Sequence, residues 1–171
     1  MAKTRYFLII LFAFVLLISG FLILNLLSVN IYVKNIKKYS FLVKNEPNNC
    51  FYNDQLADNY LILHEYNKAK IYFEVLIHEC ENNSFYFQQY GICNYLNGND
   101  KIGLEYIDKA IEKEKAIKNY LLADSYKKEK LDLIKNKGNI RKYKDSNDKR
   151  KWDYFFFNLS KRILFLLYRI N

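Results

Sequence analysis

Proline occurs once in this chain, at Pro47, and glycine only five times. So few turn-formers and breakers argue against a loop-rich or all-β protein and for long helices. The three cysteines, Cys50, Cys80 and Cys93, make no CxxC pair and no metal-ligand spacing. Only two histidines are present, and His78-x-Cys80 is the single weak hint of a ligand pair. No metal and no cofactor are therefore expected. A glycine-rich phosphate loop, HExxH, G-x-S-x-G and paired catalytic carboxylates are all missing, so the chain reads as a non-enzyme. The most consequential absence is local: from Tyr6 to Val33 there is no charged side chain.

A helix of about 20 apolar residues crosses the roughly 30 Å hydrocarbon core of a bilayer. The stretch from Phe7 to Leu24 is almost wholly aliphatic and aromatic. A cleaved secretory signal is the competing reading, because Lys3 and Arg5 make a basic start. The apolar run, however, outlasts the roughly 7–15 residues of such a signal, and no small-x-small site closes it. The expectation is a single-pass anchor over residues 1–30 in the cell membrane, followed by a juxtamembrane helix over 31–49. Lys34, Lys37, Lys38 and Lys44 on the far side favour a cytoplasmic domain, while the short basic N-tail favours an N-in anchor. The reading leans to an extracytoplasmic domain.

Charge is unevenly placed. Residues 1–49 carry six basic and one acidic side chain, residues 50–116 six basic and eleven acidic, and residues 137–171 ten basic and three acidic. An acidic middle between basic ends is not the basic folded surface that phosphate backbones need, so no nucleic-acid partner is expected. The acids fall at intervals usual for solvated helix faces.

From Cys50 the sequence repeats at a spacing of 34 residues, the first unit running over 50–83 and the second over 84–117. In register, Phe51 meets Phe85, Ala57 meets Gly91, Ala69 meets Gly103, Tyr72 meets Tyr106 and Ile77 meets Ile111. That period belongs to helix–turn–helix solenoid units. LADNY at 56–60 returns as LADSY at 122–126, two residues out of register, so a partial third unit or capping helix is expected over 118–138.

On these residues the chain resembles the tetratricopeptide repeat (TPR) family over about 47–136, most strongly over 50–116. Ala57, Gly91, Ala69 and Gly103 match the family's small positions where paired helices cross. Tyr60, Phe73, Ile107 and Ala110 match larger or filling positions, whereas Asn94 and Leu76 depart from the pattern. Gly98-Asn99 supplies turn chemistry, and Pro47 falls where the family's proline ends a unit. The resemblance implies a short solenoid of helical hairpins, and with the anchor before it and an amphipathic C-terminal helix after it the expected fold is all-α. It also implies an interaction or assembly function, with first helices lining a groove for a protein or peptide.

The matching groove positions are Phe51, Asp54, Asp58, Leu61, Phe85, Gln88, Ile92 and Tyr95. Asp54 and Asp58 stand where the family's carboxylate-clamp members need Lys and Asn, so a basic or amphipathic peptide suits this groove better than an acidic one. The alternative is that the aromatics fill core space and the acids are merely solvated. A second copy of the chain is a further candidate partner, since two clear units bury little surface alone.

After a basic linker over 139–151, residues 152–171 place Trp152, Phe155, Phe156, Leu159, Ile163 and Leu166 on one helical face. Lys161 and Arg162 at the centre exclude a second span. Three readings stand open: packing on the solenoid, lying in the bilayer interface, or binding a partner. In the interfacial reading Trp152, Phe155, Phe156, Lys161 and Arg162 meet membrane lipid. Cys50 and Cys80 open and close one hairpin, so a disulfide is geometrically possible in an oxidising compartment. Two buried thiols are the favoured reading.

Overall fold

The computed structural model describes residues 2–80, 83–136 and 159–165. Among these the chain is all helix, with no strand. Helix α1 spans Ala2–Asn45, α2 Cys50–Ile62, α3 Tyr66–Glu79, α4 Ser84–Leu96, α5 Asp100–Ala116 and α6 Tyr120–Lys135. A short α7 covers 159–165. The basic linker over 139–151, and most of the segment expected to follow it, lie outside the described residues.

The anchor and the juxtamembrane helix are one uninterrupted helix of 44 residues. Nothing in its sequence breaks it before Pro47, which lacks the N–H a further turn would need. Its residues Phe14–Asn45 include a window long and apolar enough to cross a membrane, with a mean hydropathy of 2.3.

The 34-residue spacing recurs in the backbone. Asn49 and Asn83 sit at the N-caps of α2 and α4, accepting from Tyr52 N at 3.2 Å and Phe85 N at 3.0 Å. The turns inside the two hairpins carry their left-handed residues 34 apart as well, His64 at φ 56° and Gly98 at φ 87°. Gly98 takes that conformation freely, whereas His64 and Lys118 (φ 61°) bear a cost of about 1 kcal/mol each. α6 opens two residues later than a strict 34-residue step from α4, because α5 is longer than α3, at 17 residues against 14, while the connection after it is one residue shorter.

Each short connection reverses the chain, so α2 returns alongside α1 toward its apolar end. Val29, Val33 and Ile36 of α1 are fully buried in one core with Leu56, Leu63 and Phe73. The C-terminal half of a membrane-length helix thus serves as the first wall of the folded domain. A second core joins α4, α5 and α6 around Ile92, Ile107, Ala110 and Tyr126. In the first core, Tyr90 of α4 and Tyr106 of α5 meet edge-on at 4.6 Å.

Cys50 and Cys80 form a disulfide, with Cα atoms 5.8 Å apart. The expectation of two buried thiols is corrected here: Cys50 is exposed at the start of α2, and antiparallel pairing sets it beside the end of α3. The remaining thiol, Cys93, is buried, and that burial pushes its pKa up to about 12.

Candidate partner-binding face

Phe51, Asp54, Asp58 and Leu61 fall at three- and four-residue steps on α2 and share one side of it. Phe51 is 58 % exposed, with its ring edge-on to Tyr39 of α1 at 6.0 Å. Asp54, Asp58 and Leu61 are half-buried. Among the described residues no basic side chain pairs with either acid. Burial, with the Asp54 carboxylate one turn away as a second cause, pushes the Asp58 carboxyl up to about 6.

A raised carboxyl pKa favours the folded state only while the group is protonated. That contribution is complete below the ordinary value of 3.8 and is lost as pH rises through about 6. Asp58→Asn should therefore raise stability near pH 7 by about 1 kcal/mol, the nominal shift being discounted for a half-exposed group. Denaturant titrations at pH 3.5 and pH 7 check this, with no gain expected at the lower pH. An equal gain at both would mean that ionisation is not the cause.

The α4 half of the expected face is different. Phe85, 37 % exposed, remains at the surface beside Tyr86. Gln88, Ile92 and Tyr95 do not: all three are buried. The Gln88 amide donates to the Glu129 carboxylate of α6, Ile92 and Tyr95 share the second core with residues of α5 and α6, and Tyr95 also backs onto Gly103 of α5. The open face is thus Phe51, Asp54, Asp58, Leu61 and Phe85, a narrower surface than eight residues would make.

One acid departs from the solvated pattern. Glu114 is 5 % exposed, and its carboxylate accepts from the Ser84 hydroxyl and, at 2.7 Å, from Asn119 Nδ2. This network ties the start of α4 to the α5–α6 turn. Spacing along α5 hides it, because Ser84 comes from another helix and Asn119 from the turn that follows. Among the described residues no His, Cys, Asp or Glu cluster can hold a metal ion.

The residues expected at a lipid interface divide as well. Trp152, Phe155 and Phe156 lie outside the described residues. Arg162 is exposed. Lys161 points into the protein, its Nζ donating to Leu63 O at 2.9 Å and pairing with Glu65 Oε1 at 2.7 Å. An ammonium held by a helix-terminal carbonyl and a carboxylate is not free for a headgroup, so α7 packs on the repeats at this point.

Comparison with protein-family models, with curated proteins and with solved structures found no match to this chain.

Proposed function

We propose that this is a membrane-anchored, TPR-like interaction module that recruits a basic or amphipathic peptide segment of a partner protein to the membrane. The observation that carries this reading is the α2 face. Two acids without a basic partner among the described residues lie there one and two turns from exposed Phe51. Carboxylates half-desolvated beside aromatic rings gain from a cationic, partly apolar ligand, which removes their repulsion and covers the rings. The unbroken α1 holds that face at a fixed height above the bilayer, which raises the local concentration of whatever binds.

The disulfide supports placing the domain on the oxidising, extracytoplasmic side, since such bonds persist there and are reduced in the cytosol. A role as accessory subunit of a secretion or envelope complex fits the same placement. The rival of another class, a small lipid-interacting protein working through its C-terminal helix, is weakened at Lys161, which is engaged by Glu65.

Asp54→Lys with Asp58→Lys tests the recruiting reading. In nanodiscs, a fluorescent amphipathic peptide of lysine, leucine and phenylalanine should bind the unaltered chain and lose about tenfold or more in affinity with the double variant. The same peptide with glutamate in place of lysine should show the reverse order. Equal affinities in all four combinations would remove the α2 face from consideration.

A further inference from the structure

The direction of α7 carries information about the neighbouring surface of α1. α2 runs back toward the apolar end of α1, and Leu63, at its close, shares a core with Val29 and Val33. α3 then climbs away from that end. Lys161 sits at the turn itself, on Leu63 O and Glu65. Phe165, four residues later, lies 5.4 Å from Lys68 Nζ, one turn up α3, and that ammonium also stands 5.7 Å over Tyr60. α7 therefore ascends along α3, and its first residue faces the bilayer end of the domain.

The facing surface of α1 is one-sided. Leu26 still packs on the core that contains Val29. Phe21, Leu22 and Asn25, one to two turns nearer the apolar end, are half-buried too. Ile23, Leu24 and Leu27, on the other side, are 55 %, 66 % and 59 % exposed. The covered stripe continues the spacing of Val29, Val33 and Ile36, below the level at which α2 and α3 turn. From Val29 to Phe21 is about 12 Å along a helix, and seven residues ahead of Leu159 reach about 10–24 Å depending on their extension. The reach and the stripe match.

We propose that residues 152–158 of this chain (WDYFFFN) dock on the α1 stripe of Phe21, Leu22, Asn25 and Leu26, forming an aromatic collar at the bilayer interface. Trp and Tyr favour that layer, where an apolar ring and a polar tip are both accommodated. Arg150 and Lys151, just before the collar, are then delivered to the headgroup layer. Lys161 is the positioning residue, since its two bonds fix where α7 begins its ascent. The collar deepens the anchored reading and rests on α1 spanning the membrane, but the docking contact itself does not.

The test uses the full chain in phospholipid nanodiscs, with p-benzoylphenylalanine in place of Leu22. Irradiation should join position 22 to a peptide within 152–158. Products joining it to residues 166–171, to a second copy or to lipid alone overturn the assignment. Trp152 is the only tryptophan, so its fluorescence reports the collar without a label. Lipid brominated near the glycerol end should quench it about twofold or more, as an interfacial ring requires. Quenching by aqueous iodide without bromolipid quenching overturns the lipid contact. Lys161→Met, with helicity retained by circular dichroism, should lower the cross-link yield several-fold; an unchanged yield removes Lys161 from its role. Release of the chain by alkaline carbonate would defeat the anchored reading separately, whatever the cross-link shows.

Discussion

Gly91→Ala should destabilise the protein by about 3 kcal/mol or more, at the severe end of what overpacking costs. A methyl group at Gly91 would lie 2.7 Å from Gly103 O, 2.7 Å from Ile107 Cγ1 and 2.9 Å from Ile107 N. Two of those three atoms are backbone, so no side-chain rotation relieves the clash. Gly103 makes the reciprocal contact: its own methyl would meet Tyr95 N at 2.7 Å and Gly91 O at 2.8 Å. α4 and α5 thus touch backbone to backbone, and the second core around Ile107 is built on that spacing. The first hairpin carries Ala57 and Ala69 at the same register, both fully buried, so there the crossing accommodates a methyl from each helix. The converse change, Ala57→Gly, should cost only about 1 kcal/mol, chiefly through helix propensity and one lost methyl contact. Urea titrations of both variants followed by circular dichroism make the comparison. A Gly91→Ala cost below that of Ala57→Gly would mean that α4 and α5 separate easily, and the close crossing would lose its meaning.

What the sequence made legible was local and periodic. The uncharged run to Val33 announced a long helix, Pro47 its end, and the matched small residues the helix crossings. The 34-residue register reappears in capping asparagines and in the left-handed turn residues His64 and Gly98. α6 opens two residues late while LADSY falls two residues early, so Ala123 and Tyr126 lie about one turn nearer the start of their helix than Ala57 and Tyr60 do. Face assignment was less legible, because it depends on which helix stacks on which. Gln88, Ile92 and Tyr95 occupy the positions of an open groove in a lone hairpin. They become interior once α6 lies against α4, and the recurrence of LADSY was the one available sign of that neighbour.

Contacts between residues far apart in the chain were the least legible. Lys161 and Glu65 are 96 residues apart, and no spacing rule joins a basic residue in a C-terminal helix to an acid in a hairpin turn. Glu114 reads as one more exposed acid of a charged helix, since Ser84 is 30 residues away. In both cases the deciding fact is burial: a charge withdrawn from water must find partners, and those partners are set by the fold. The continuity of α1 into the core is a similar case. Val29, Val33 and Ile36 are spaced like any apolar helix stripe, and only α2 folding back onto them turns lipid-like sequence into domain interior.

Removing the disulfide, by Cys50→Ala or by reductant, should lower stability by about 3–4 kcal/mol, the loop-closure effect expected for a bridge spanning 30 residues. The bridge ties the first residue of α2 to the residue just past the end of α3, so it holds both ends of the first repeat. Beyond it the junction has, among the described residues, an exposed side-chain bond from Asn48 Nδ2 to Glu79 Oε2 at 3.3 Å, which cannot replace it. Thermal melts should fall by roughly 10 °C in the variant, and reductant should produce the same fall in the unaltered chain and none in the variant. Cys93→Ala serves as control, because a buried thiol held up to about 12 takes part in no exchange near neutral pH. Insensitivity of the unaltered chain to reductant would show that the first hairpin stands on packing alone. The same cysteines report the side of the membrane. With the domain in an oxidising space, Cys50 and Cys80 in intact cells should resist a thiol-alkylating mass tag until reductant is added. Cys93 should stay unlabelled until the protein is unfolded. Tagging of Cys50 and Cys80 without reductant would place the domain where bridges are kept open, and the extracytoplasmic orientation would fall. The hairpin that presents Asp54 and Asp58 would then be the weakest part of the solenoid, and a partner bound there would have to order it.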